Sequence, residues 1–204
     1  MAGVSASGAS ASEESASDLD SMLAGDPNVG DVLVSGPEIA ERVAELGAQI
    51  TADYAGRQPL LVAVLKGAVM FASDLSRAID LPVEMDFMAV SSYGSSTRSS
   101  GVVRILKDLD IDIAGRDVIL VEDIVESGLT LSYLRRSLLA RGPASLAVCS
   151  LLTREHNGSL NGLVDYIGFR LPPVWVIGYG LDLAQKYRNL AEIRAYDSSA
   201  GDGS

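Results

Sequence analysis

Four apolar residues followed at once by two acids and a small-residue turn constrain this chain more than any other feature. In Val118-Ile119-Leu120-Val121-Glu122-Asp123 the apolar run suits a strand covered on both faces of a parallel sheet. The acids then fall at the strand's carboxyl end, the edge where open α/β sheets bind ligands. Glu126-Ser127-Gly128-Leu129-Thr130 leads into an apolar-periodic segment that predicts a helix from about Leu129 to Arg141. Free N–H groups, two hydroxyls and the positive helix end converge there on one small anion, such as a phosphate. The two acids, one short loop away, are placed for sugar hydroxyls or a divalent cation. An acid pair also closes an apolar strand in P-loop nucleotidases, but the sequence contains no G-x-x-x-x-G-K-[ST], and no G-x-G-x-x-G follows a predicted strand. An ordinary strand, turn and helix with solvated acids is the other alternative.

The rest of the chain frames this segment. Ile39, Val43, Leu46, Ile50 and Tyr54 share one helical face, which predicts an amphipathic helix from Pro37 to about Tyr54, with proline suited to its start. Leu60–Leu65 reads as a buried strand, Lys66-Gly67 as a sharp turn and Ala68–Ala78 as a second helix. Val83–Val90, Val102–Leu106 and Ser145–Leu152 read as further strands. This alternation predicts an α/β fold with a largely parallel central sheet flanked by helices and joined by right-handed crossovers. Thr153 to about Tyr196 is richer in turns, with short strands near Asp165–Phe169 and Val174–Ile177, and predicts a small C-terminal cap rather than a second domain. Ser91–Gly101 is small, polar and aperiodic, which predicts a mobile loop. Residues 1–28, rich in Ala, Ser, Gly and acids, predict a disordered tail, and 198–204 a second one, leaving a folded domain over 29–197.

Composition excludes several classes. With 204 residues, 48% of them hydrophobic, the chain has material for one sizeable core. Of the 27 acids behind the net charge of −11, six lie in residues 1–31, which carry no Lys or Arg. The body is therefore only mildly acidic, and neither nucleic acid nor an anionic membrane is an expected partner. No apolar run approaches the ~20 residues of a membrane span and no secretory signal opens the chain, so a cytoplasmic location is expected. Cys149 sits in an apolar run and reads as a buried thiol, while His156 and Asn157-Gly158-Ser159 read as surface loop and turn.

The 118–130 stretch resembles the phosphoribosyl diphosphate (PRPP) signature of the type I phosphoribosyltransferases. Over roughly residues 30 to 196 the chain resembles, more narrowly, the hypoxanthine-guanine phosphoribosyltransferase family. The resemblance implies that fold, with a hood-like C-terminal cap, and Mg²⁺-dependent purine salvage. In that reaction a purine nitrogen displaces pyrophosphate at C1 of PRPP, and hypoxanthine or guanine becomes the nucleoside monophosphate. By the same resemblance Glu122 and Asp123 meet the ribose hydroxyls, and Ser127, Gly128, Leu129 and Thr130 hold the 5′-phosphate. Leu65-Lys66-Gly67-Ala68 looks like the family's pyrophosphate loop, with Arg188 clamping the same group. Ser91-Ser92-Tyr93-Gly94 looks like the start of its lid, to which Ser92 and Tyr93 are assigned. Trp175-Val176-Ile177-Gly178-Tyr179-Gly180-Leu181-Asp182 is similar to the segment in which an aromatic stacks on the base and an Asp binds magnesium. Purine contacts thus fall to Trp175, Val176 and Arg154, and metal contacts to Asp182 with Glu122 and Asp123. A homodimer or homotetramer is implied as well.

Two base-facing positions depart from the family pattern. Glu126 stands where the family carries the Asp that handles the proton at purine N7, and Arg154 where it carries the Lys that meets the exocyclic O6. One extra methylene moves a carboxylate by ~1.5 Å, a displacement that can cost about a hundredfold in rate. Arginine also differs from lysine in its planar, multiply donating fork. Three readings stay open: an ordinary 6-oxopurine enzyme with compensated drift, a paralog preferring xanthine or a modified 6-oxopurine, and a PRPP-binding regulator or inactive subunit.

Overall fold

A computed structural model describes residues 19, 23, 25–92, 103–154 and 162–197. Six strands form the main sheet in the order β4-β3-β2-β5-β6-β7: β2 Leu60–Leu65, β3 Glu84–Ser92, β4 Val103–Lys107, β5 Asp117–Val125, β6 Ser145–Arg154 and β7 Tyr166–Leu171. All neighbours run parallel except the β3–β4 edge pair. Alternate side chains of β2, β5 and β6 feed two cores. On one face Leu61, Ala63, Ile119, Val121 and Leu151 meet helices α1 (Gly36–Asp53) and α2 (Val69–Ala78). On the other, Leu60, Val62, Val118, Leu120 and Val148 meet α3 (Leu129–Leu139) through Leu131, Leu134 and Leu138.

Local chemistry sets these elements. Ser35 and Glu38 form a reciprocal capping box, with the Ser35 hydroxyl accepting from Glu38 N–H and the Glu38 carboxylate accepting from Ser35 N–H, and Pro37 lies in the first turn of α1. The buried face of α1 is Ile39, Val43, Leu46, Gly47 and Ile50, and Tyr54 beyond it is buried too, as the periodicity predicts. Gly47 lets α1 ride close over the end of α2, since a Cβ there would come within 2.5 Å of the Ala78 carbonyl oxygen.

The strand order also fixes where a ligand binds. From β2 the chain crosses through α2 to β3 on one side, and from β5 it crosses through α3 to β6 on the other. β2 and β5 are adjacent, so their connections diverge and leave a crevice at their carboxyl ends, as at the switch point of any open α/β sheet. Both predicted ligand loops, after Leu65 and after Val125, open into it.

Three expectations change. The smaller antiparallel sheet, β1-β9-β8, joins Trp175–Ile177 (β8) and Ile193–Tyr196 (β9) to an N-terminal strand, Val29–Val34 (β1). Tyr166–Leu171, expected in the cap, extends the main sheet beside β6 instead. The cap therefore draws on both ends of the chain. Nor is the stretch read as a disordered tail wholly without structure: Leu23 is buried with Ile177 and Leu190, and Leu19 packs against the same cluster. The composition of residues 1–28 averaged out this Leu pair, four positions apart and so on one helical face. Tyr93, the rest of the lid segment to Gly101, His156, Asn157-Gly158-Ser159 and residues 198–204 lie outside the described residues. Among the described residues no helix is long and apolar enough to cross a membrane.

Asp86, buried at the middle of β3, ties the β4–β5 connection to the sheet. Its Oδ2 accepts from the N–H groups of Asp110 (2.8 Å) and Ile111 (2.9 Å), and Oδ1 from Phe87 N–H (2.7 Å). Burial pushes its pKa up, but these donors and the Lys107 ammonium outweigh it and hold the carboxyl below its ordinary value. Such a group stabilises the fold above its unfolded pKa, and the contribution is lost as pH falls through the folded one. Asp86→Ala should therefore cost about 2–3 kcal/mol in urea unfolding at pH 7, with the deficit shrinking toward pH 3.

Candidate active site

Alternation along β5 sends its two acids into different cavities. Glu122 lines one with Ser127, Gly128, Thr130 and Leu131, and Asp123 lines the other with Arg154, Trp175, Val176 and Asp182. Ile124 and Glu126 border both, so the cavities adjoin. Glu122 is only 6% exposed. Burial, reinforced by the neighbouring Asp123 charge, pushes its pKa well up. Burial raises Asp123 as well, while the Ile124 N–H, at 2.8 Å from Oδ1, its own N–H and the Arg188 charge oppose the rise; Asp182 adds to it. The free site thus carries more buried negative charge than its own donors satisfy, which favours ligands that bring hydroxyl donors or a cation.

The first cavity is an anion cradle. Gly128 holds φ 74°, a left-handed conformation that suits glycine, at the N-cap of α3, and as a glycine it brings no side-chain cap of its own. The helix's first-turn N–H groups are therefore available to an outside acceptor. Leu129 N–H lies 3.4 Å from Ser127 Oγ, and the Leu129 side chain points to solvent, so this residue contributes backbone alone.

The second cavity is walled by a planar ring and an ion pair. Trp175 is 54% exposed, with its face free for a ligand, and Val176 is buried beside it. Arg154 donates to Glu126 Oε1 from Nη2 (2.5 Å) and Nε (3.1 Å), and to the Pro172 carbonyl from Nη1 (2.9 Å). The two residues that depart from the family pattern are therefore bonded to each other.

Beside the second cavity the loops after β2 and β8 meet the end of β5. The Leu65–Lys66 peptide bond is cis, and Gly67 lies so near β5 that a Cβ on it would overlap the Asp123 carboxylate. A Cβ on Gly180, at φ 99°, would overlap the Gly67 carbonyl. Across this junction Lys66 Nζ donates to Gln185 Oε1 (3.0 Å). Arg188 pairs with Asp182 (2.5 Å) and donates to the Gly180 carbonyl (2.6 Å), and its Nη2 lies 3.4 Å from Gln185 Oε1. Asp182 also accepts from Gln185 N–H (2.8 Å).

Of the residues expected in the site, Lys66, Gly67, Glu122, Asp123, Glu126, Ser127, Gly128, Thr130, Arg154, Trp175, Val176, Asp182 and Arg188 come together here. Ser92 ends β3, and Tyr93 is not among the described residues. Gln185 was missed, although it lies midway between Asp182 and Arg188 in the sequence. Ile124 and Leu181, which line the base-side cavity, were missed too. Among the described residues no three acid, His or Cys groups converge as a ready metal cage, so Glu122, Asp123 and Asp182 do not form one together.

A family model for the phosphoribosyl transferase domain matches residues 30–183. The chain is 53% identical over 176 residues to the hypoxanthine-guanine phosphoribosyltransferase of Mycobacterium tuberculosis (strain ATCC 25618 / H37Rv), covering 83% of this chain and 87% of that one. It is 49% identical over 162 residues to the Bacillus subtilis (strain 168) protein of the same name, covering 79% and 90%. The chain belongs to the hypoxanthine-guanine phosphoribosyltransferase family. A crystal structure of a family member from Bacillus anthracis superposes with a TM-score of 0.79 at 41% identity, covering 83% of this chain and 99% of that one. As a family member the chain is a purine-salvage transferase, with the mostly parallel sheet flanked by helices that the family's type I fold requires.

Two outcomes follow from this geometry. Gly67→Ala forces the Asp123 carboxylate out of place, so affinity for PRPP, measured by calorimetry, should fall by about tenfold or more. For Glu122 the sign is opposite to that of Asp86. Its raised folded pKa means that its contribution is most favourable below the unfolded pKa and is lost as pH rises through the folded one. Glu122→Gln should raise the unfolding midpoint of the free protein at pH 8, leave it nearly unchanged at pH 4, and weaken PRPP binding.

Proposed function

We propose that this protein transfers the phosphoribosyl group of PRPP to a ring nitrogen of hypoxanthine or guanine, releasing pyrophosphate, in a Mg²⁺-dependent reaction in the cytoplasm. The observation that carries this reading is the pair of adjoining cavities, one an acid-lined anion cradle and the other walled by Trp175 and a cation, with their shared border where the reacting carbon would sit. Glu122 and Asp123 meet the ribose hydroxyls, whose hydrogen bonds would offset the burial that disfavours the two carboxylates. The Ser127–Thr130 turn takes the 5′-phosphate on its N–H groups and hydroxyls. Lys66, the Gly67 backbone and Arg188 take the leaving pyrophosphate. Trp175 stacks on the base and Val176 meets its edge.

Magnesium fits the donor set without a protein cage, because this ion commonly takes one or two carboxylates and completes its shell with phosphate oxygens and water. Asp182 or the Glu122–Asp123 pair would hold it, one or two carboxylates at a time, and the chemistry it would supply is neutralisation of charge on the departing diphosphate. No protein nucleophile is needed. The residues act by holding the two substrates in line, and Glu126 takes up the proton shift on the base. A homodimer or homotetramer is the expected assembly, and light scattering on the purified protein distinguishes the two.

The Glu126–Arg154 bond favours a second reading, altered ranking among 6-oxopurines. Three of the five guanidinium N–H groups are committed to Glu126 and Pro172, which leaves two for a base oxygen. Acid and cation therefore act as one unit rather than as separate N7 and O6 contacts. The test is a panel of hypoxanthine, guanine and xanthine with PRPP and Mg²⁺, assayed for pyrophosphate and nucleotide. Turnover of hypoxanthine or guanine is expected. Absence of turnover with every base, alongside measurable PRPP binding, would overturn the enzyme reading in favour of a regulator. Across a double-mutant cycle, Glu126→Asp and Arg154→Lys should each cost more in kcat/KM alone than together, and the double variant should reorder the three bases. An unchanged order removes the second reading.

A further inference from the structure

The loop between β8 and β9 reaches the site with Asp182, Gln185 and Arg188 on its inner side, and four of its non-glycine residues hold positive φ: Tyr179 (48°), Ala184 (48°), Gln185 (69°) and Tyr187 (71°). Such conformations are uncommon outside glycine and persist where surrounding contacts over-determine them. Cross-loop hydrogen bonds supply part of that support: Gly180 N–H donates to the Arg188 carbonyl (2.9 Å), and Leu190 N–H to that of Tyr187 (3.2 Å). The outer side is held by residues far away in sequence. Tyr187 donates its hydroxyl to Asp26 Oδ2 (2.5 Å), and the other Asp26 oxygen accepts from Asn28 N–H (3.0 Å). Leu23 is buried against Ile177 and Leu190, with Leu183 and Tyr187 packed on the same cluster. Asn28 Nδ2 donates to the Tyr196 hydroxyl (3.3 Å), and the Tyr196 ring lies 6.2 Å from that of Tyr187, so the arm is tied to β9 as well.

We propose that the N-terminal arm around Leu23 and Asp26 is a positioning element for the diphosphate side of the site, acting through Tyr187 on its chain neighbour Arg188 and through Leu190 and Leu183 on the two ends of the loop. Arg188 must present its fork in one orientation to bind a diphosphate, and a loop with four left-handed non-glycine residues has an incentive to relax when its outer support is removed. Charge-assisted bonding makes the Asp26–Tyr187 contact the stronger of the two ties, and Leu23 excludes water from beneath it. The arm meets β8 at Ile177, two residues beyond Trp175, whereas it bonds directly to Tyr187 beside Arg188. The arm therefore acts chiefly on the diphosphate side. This inference rests on the reading of the loop as the diphosphate-binding element.

The experiment compares full-length wild type, Leu23→Ala/Asp26→Ala, the conservative Leu23→Met, and Asp86→Ala as a destabilised control remote from the arm. Affinity for pyrophosphate with Mg²⁺ is read by calorimetry, and KM for PRPP and for the base by steady-state assay. The double variant should bind pyrophosphate about three- to tenfold more weakly, raise KM for PRPP by a similar factor and leave KM for the base unchanged. Leu23→Met should match wild type, and Asp86→Ala should lower the unfolding midpoint without splitting the two KM values. Equal pyrophosphate affinity in wild type and double variant, or a parallel rise of both KM values, overturns the positioning role while leaving the assignment of the loop intact. If wild type itself fails to bind pyrophosphate, the assignment of the loop falls and the inference with it.

Discussion

The site depends on backbone standing where a side chain would otherwise be. Gly67, at the carboxyl end of β2, lies directly against the Asp123 carboxylate from β5, and its carbonyl meets Gly180 from the turn after β8. Two loops and a strand can converge this closely only because both loops lack a Cβ at the meeting point. The closeness of Lys66, Asp123 and Asp182 follows from that convergence. A scaffold with ordinary residues at these points would hold the same groups several ångströms apart, too far to act on one reacting carbon.

The electrostatics of the junction are arranged for the bound state. Glu122 and Asp123 are raised because burial removes water that nothing in the free protein fully replaces. Pairing them permanently with arginine would stabilise the free protein but occupy the lone pairs that an outside donor could use. Arg188 instead pairs with Asp182, at the side of the cavity, and moderates Asp123 through space. The acids are thus left under-satisfied where a ligand brings donors, a form of preorganisation that costs fold stability and is recovered on binding.

How much of this was legible in the sequence tracks how local each cause is. The acid pair, the anion turn with Gly128, the face of α1 and the buried strand before Lys66 all follow from patterns within a dozen residues, and each stands where the pattern put it. Gln185 did not stand out because its meaning comes from Lys66, 119 positions earlier. The pairing of β1 with β9 and the burial of Leu19 and Leu23 depend on contacts between the chain's two ends. Averaged composition hid the latter, since two leucines in a run of Ala, Ser and Gly read as noise until a surface is present to receive them. Likewise β7 looked like part of a turn-rich cap because its partner, β6, is fixed by tertiary register rather than by any local signal.

Glu126 and Arg154 show what geometry adds to a motif comparison. Taken singly, each departure from the family pattern misplaces a base-facing group, and each invites its own explanation. Bonded at 2.5 Å they form a single wall in which the longer acid reaches the longer cation. A lysine at 154 would carry one ammonium with no fork, and an aspartate at 126 would fall a methylene short of the guanidinium. A change at either position therefore alters the demand on the other. The acid pair and the Ser127–Thr130 turn around them keep the pattern read from the sequence, so both departures are confined to one wall of the second cavity.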